Sequence, residues 1–91
     1  MPEGAGVLQE GQIYYDPEVI DVEVGTTIVW ENLDNTVHTS TSGNPDSGPD
    51  GLFDSGMMSA GDVYEFTFTE AGTFDYYCTF HPWMVGTVNV E

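Results

Sequence analysis

Apolar residues in this chain recur at every second position, and nowhere at helical spacing. Ile20, Val22 and Val24 alternate with Asp21 and Glu23, and Tyr64, Phe66 and Phe68 alternate with Glu65 and Thr67. A period of two places one set of side chains on a buried face and the other in water, which is the signature of a half-buried strand. Phe74, Tyr76 and Cys78 repeat the pattern against Thr73, Asp75 and Tyr77, with Tyr77 expected on the opposite face from Cys78. Thr26 to Asn32 is rich in β-branched residues and carries Trp30, and Gly86 to Val90 sets Val88 and Val90 on one face. A weaker strand is expected around Gln12 to Tyr15. Gly, Asn, Asp and Pro separate these runs, so the expected fold is all-β, a Greek-key β-sandwich. Residues 42–56, SGNPDSGPDGLFDSG, read as a loop anchored by Leu52 and Phe53. Residues 1–91 are expected to form a single domain, with 1–11 a loose N-terminal arm.

Charge narrows the functions open to such a chain. It carries 16 Asp and Glu, no Lys and no Arg, a net charge of −16. Without basic side chains no nucleic-acid partner is expected, nor an anionic membrane surface or a catalytic amine. With 40% hydrophobic residues the chain still has enough apolar material for a core. A single cysteine excludes an internal disulfide, a CxxC pair and a four-cysteine zinc site. No apolar run is long enough to span a bilayer, and no signal peptide or anchor is expected within this chain. Asp46, Asp50 and Asp54 do not have the spacing of an EF-hand and read as a solvated acidic loop.

The chemistry concentrates near the C-terminus. Cys78, His81 and Met84 stand at the spacing C-x2-H-x2-M, and the one other histidine, His38, lies 40 residues before Cys78. Each residue alone has a structural explanation: a buried Cys is usually inert, a Met fills gaps, and a His satisfies a core hydrogen bond. Together, two imidazoles, a thiolate and a thioether form the donor set of a type 1 copper site, a trigonal plane with a weak axial Met. A tight loop between two strands can aim three of these groups at one point, with His38 reaching it from a neighbouring strand. Zinc could use the same donors, although a thioether is a poor reason for zinc. A nucleophilic Cys/His pair is the remaining alternative, and it lacks an orienting Asn or Asp at a recognisable spacing.

These residues fall within a longer string. Val24-Gly25-Thr26 precedes Ile28-Val29-Trp30, and Glu31-Asn32-Leu33-Asp34 leads to His38. Phe53-Asp54-Ser55-Gly56, Ala60-Gly61, Phe66-Thr67-Phe68, Ala71-Gly72-Thr73-Phe74, Tyr76-Tyr77-Cys78, His81-Pro82, Met84 and Gly86 follow. The string resembles the cupredoxins, small blue-copper proteins of the plastocyanin and amicyanin type, and the short gap between His81 and Met84 is similar to the amicyanin loop. The resemblance implies one copper per chain, cycling between Cu(I) and Cu(II), with His38, Cys78 and His81 equatorial and Met84 axial. It implies a one-electron carrier between redox partners, one of them basic, in an extracytoplasmic setting: the periplasm or the outer face of the cell membrane. Phe80, Pro82 and Trp83 would then rim the exposed edge of His81, and Tyr77 resembles the tyrosine of a second docking area. Nothing in the sequence calls for a homo-oligomer. The alternative is an enzyme, a copper oxidoreductase whose axial position is open to a small molecule such as nitric oxide. Three departures from the family pattern stand out: Thr39 where many members have Asn, Trp83 in place of a smaller aromatic, and Met57-Met58 where Leu is common. The two methionines are expected to pack in the core.

Overall fold

A computed structural model of the chain describes Met1, Tyr15 and residues 18–91. The expected strand from Gln12 and nearly all of the expected N-terminal arm lie outside the described residues. Seven strands are present: β1 (Val19–Val22), β2 (Thr27–Glu31), β3 (Thr41–Asn44), β4 (Gly48–Asp54), β5 (Val63–Thr67), β6 (Gly72–Tyr77) and β7 (Val85–Val90). One sheet has the order β1-β7-β6-β3-β4, and β2 pairs with β5 in the second. The β1–β7 pairing is parallel, whereas the other ladders are antiparallel. No helix occurs among the described residues, so the all-β sandwich expected from the alternation is the fold.

Alternation builds the core. Ile28 and Trp30 are the buried positions of β2, and Gly86, Val88 and Val90 those of β7. The Trp30 ring bridges the two sheets, 5.2 Å from Phe53 and 5.4 Å from Tyr76. Phe53 lies in turn 5.0 Å from Phe66 and 5.8 Å from Phe68. The buried rings of Trp30, Phe53, Phe68 and Tyr76 each remove enough apolar surface from water to contribute roughly 1.5–3 kcal/mol. Tyr76 stands opposite Gly86 in the β6–β7 register, and a Cβ at Gly86 would run into the Tyr76 ring. The glycine therefore makes room for the tyrosine. Val24, expected to share the face of Ile20 and Val22, is exposed, because β1 ends before it and the chain turns through Gly25 at a φ of +93°.

Residues 42–56 are a correction: most of that segment lies in a β3–β4 hairpin, and β3 lies between β4 and β6. The apolar alternation is missing because hydroxyl groups make the contacts. Ser40, Thr41 and Ser42 are all buried. Ser42 Oγ accepts a 2.9 Å hydrogen bond from the Phe53 N–H, near the register shift between Thr41 and Gly43. Gly43 has a φ of +121°, and a Cβ there would strike the Gly48 carbonyl. Asn44 Oδ1 closes the turn by accepting from the N–H groups of Asp46 (3.0 Å) and Ser47 (2.8 Å). The carboxylates of Asp50 and Asp54 cap neighbouring N–H groups, those of Leu52 and Gly56.

Candidate metal centre

Cys78 directly follows β6 and Met84 directly precedes β7, so the segment carrying Cys78, His81 and Met84 is the hairpin connection of the central strands. Three main-chain bonds wind it tightly: His81 N–H to Cys78 O (3.2 Å), Met84 N–H to His81 O (2.8 Å) and Cys78 N–H to Met84 O (3.1 Å). Cys78 and Met84 are fully buried, while His81 is half-buried. His38 comes from the stretch before β3 and is also fully buried. Its backbone is fixed by a two-way bridge to Met58, at 2.8 and 3.1 Å.

The structure brings His38, Cys78 and His81 together, with a ligand atom of each within 4.8 Å of the others. His38 Nδ1 is 3.1 Å from His81 Nδ1, and Cys78 Sγ lies 3.4 Å from His81 Nδ1 and 3.8 Å from His38 Nδ1. The point equidistant from these three atoms is about 2.0 Å from each, close to the roughly 2.0–2.3 Å at which a metal binds imidazole nitrogen and thiolate sulfur. The triangle therefore fits a trigonal metal ion without rearrangement. Partial burial and the neighbouring His38 ring hold the His81 pKa below its ordinary value, against the opposing pull of Asp34. The shift favours the neutral imidazole, the form that binds a metal.

Thr39 ties the His38 segment to the Cys78 segment. Its N–H points at Cys78 Sγ (3.4 Å), its Oγ1 accepts from the Thr79 N–H (3.0 Å), and the same oxygen meets Thr41 Oγ1 (2.9 Å). The two metal-binding segments are joined through one hydroxyl. Thr39→Val should cost about 0.5–1.5 kcal/mol, because the Thr79 N–H loses its acceptor while the buried Thr41 hydroxyl keeps only its bond to Asp54. Thermal unfolding of the metal-free protein measures this, and an unchanged midpoint would contradict it.

Two groups went unrecognised in the sequence. Asp34 Oδ2 is 2.7 Å from His38 Nε2, with Asp34 only 3% exposed. Asn32, fully buried, accepts from the Asp34 N–H (3.0 Å) and donates to the carbonyls of Thr36 (2.9 Å) and Met58 (2.8 Å). The available signal was the spacing of four between an acid and a histidine. Two expectations need correction. Tyr77 is buried at 6% exposure rather than displayed for docking. Of the two methionines Met58 packs in the core, but Met57 is 73% exposed, because only Met58 faces inward at the His38 bridge.

A β-sandwich with two imidazoles and a thiolate converging at one end, beside a buried methionine, is the frame of a type 1 copper electron carrier. The chain belongs to the plastocyanin/azurin family of copper-binding proteins, whose profile matches residues 3–91, and its cofactor is copper. It is 38% identical over 92 residues to amicyanin of Paracoccus denitrificans, covering 98% of this chain and 67% of that protein. Against amicyanin of Paracoccus versutus the identity is 40% over 78 residues, covering 86% of this chain and 58% of the relative. The chain thus spans roughly three-fifths to two-thirds of the length of these relatives. Among solved structures, a novel purple cupredoxin from Nitrosopumilus maritimus matches with a TM-score of 0.91 and 37% identity, covering 99% of this chain and 94% of that one. A reduced Cu(I) form of an amicyanin mutant matches with a TM-score of 0.74 and 35% identity, covering 100% and 92%.

Proposed function

We propose that the protein carries single electrons between redox partners through the edge of His81, with His38, Cys78 and His81 as equatorial copper ligands and Met84 as the axial one. The observation that carries this reading is the convergence of the two Nδ1 atoms and Cys78 Sγ on one point, with His81 alone of the four residues reaching the surface. Bound copper supplies a one-electron couple, Cu(II)/Cu(I), in a donor set that suits both states. The chain's own residues do the rest. The two main-chain bonds that Met84 makes, to His81 and Cys78, hold the loop rigid, and the Thr39 N–H supports the thiolate. Burial of His38, Cys78 and Met84 excludes water from three sides.

Around His81 the surface is apolar. Phe80 is 52% exposed, Pro82 is exposed, and the Trp83 ring lies 5.3 Å from the imidazole. This rim supports close, dry contact with a partner, and the charge of −16 supports a basic partner steered to it at low salt. One core shared by both sheets supports a single domain. Family membership supports an extracytoplasmic setting, the periplasm or the outer face of the cell membrane. Among the described residues no helix is long and apolar enough to cross a membrane.

The second reading is a copper oxidoreductase with an axial position open to a small molecule such as nitric oxide. One experiment separates the two. For a carrier, azide, nitrite or nitric oxide should leave the visible and EPR spectra unchanged. Trp83→Asp should then slow electron exchange with a redox protein at least about tenfold while copper stays bound, by placing a charge that must be desolvated at the contact. Direct coordination of the added molecule, with turnover and no protein partner, would establish the enzyme instead.

A further inference from the structure

We propose that Asp34 is a positioning residue that biases the site toward Cu(II), acting through the far nitrogen of His38; the proposal rests on the ligand reading above. His38 turns Nδ1 toward Cys78 and His81, so Nε2 carries the ring proton and donates it to Asp34 Oδ2 at 2.7 Å. A carboxylate on the outer nitrogen fixes the ring and raises the basicity of the inner one. Copper(II) with one thiolate carries a net positive charge, and copper(I) with one thiolate is neutral, so a fixed anion behind the ring favours the oxidised state.

The surroundings keep that anion in place. Its second oxygen accepts from the Asn35 N–H at 2.8 Å. Its own N–H is bound by Asn32, which also grips the Met58 carbonyl, and Met58 is the residue bridged to the His38 backbone. Asp34, Asn32, Met58 and His38 therefore close a ring of hydrogen bonds around the imidazole, all of them buried. Burial also shields the carboxylate from added salt.

Asp34→Asn keeps the size of the side chain and its acceptor oxygen but removes the charge. In the copper-loaded protein it should retain the thiolate-dependent colour. The ratio of Cu(II) to Cu(I) affinity, measured by separate titrations, should fall at least about tenfold, which is an upward shift of about 59 mV in the one-electron potential. Asp34→Glu, which keeps the charge, should return the potential toward the parent value. An unchanged or lowered potential in Asp34→Asn with its colour intact would overturn the proposal, as would a glutamate variant indistinguishable from the asparagine one. Should the asparagine variant fail to bind copper, NMR of the parent Cu(I) protein decides. A downfield, slowly exchanging Nε2–H on His38 is expected, and its absence would overturn the proposal. Failure of the ligand reading is distinct, because it would appear as a parent colour that does not depend on Cys78.

Discussion

Cys78→Ala is expected to abolish the intense visible absorption of the Cu(II) protein, because the charge-transfer band arises from the thiolate and no other cysteine can supply one. The fold should survive. Among the described residues the polar contacts of Cys78 Sγ are the 3.4 Å one from Thr39 N–H and those with the two imidazoles, whereas the Cys78 backbone remains bonded to Met84 and His81. The small side chain leaves little void in the core when shortened by one atom. The measurement is an optical spectrum of the refolded variant with one equivalent of Cu(II), next to its thermal unfolding curve. A persisting band would show that the colour, and the metal, reside elsewhere.

Phe53→Ala should have the largest effect on stability. Phe53 is 5% exposed and stands within ring contact of Trp30, Tyr64, Phe66, Phe68 and Tyr76. Removing its ring leaves a cavity between two sheets that cannot close without moving Trp30. The expected loss is about 3–5 kcal/mol, a large share of the roughly 5–15 kcal/mol available to a small domain. Denaturant unfolding of the metal-free protein measures it. A loss below about 1 kcal/mol would mean that the rings repack and the site is not the hub it resembles.

What could be read from the residues follows from how each part of the protein is held together. β2, β5, β6 and β7 are stabilised by apolar side chains on one face, and that arrangement prints a period of two into the sequence. β3 and β4 are stabilised by buried hydroxyls and by glycines at positive φ, through Ser42 against Phe53 and Gly43 against Gly48. Such a hairpin uses the same residues as a loop, so residues 42–56 read as one. The four proposed metal-binding residues were legible because cysteine and histidine are scarce here, one and two respectively. Asp34 was not, for the opposite reason: among 16 acids nothing in its identity marks the one that is buried against an imidazole. Tyr77 failed similarly, since alternation about β6 separates two faces but does not say that the second is also covered.

The closed side of the metal centre bears on how copper enters and leaves. His38, Cys78 and Met84 are sealed, and only His81, on the five residues between Cys78 and Met84, faces outward. Exchange of the ion then depends on the breathing of that short loop about the Cys78–Met84 backbone bond, not on melting of the sandwich. Rigidity of the sandwich and residence time of the metal become separate properties. A donor delivering copper would approach over the same small window as the proposed electron route, so loading and electron exchange would compete for one face of the molecule.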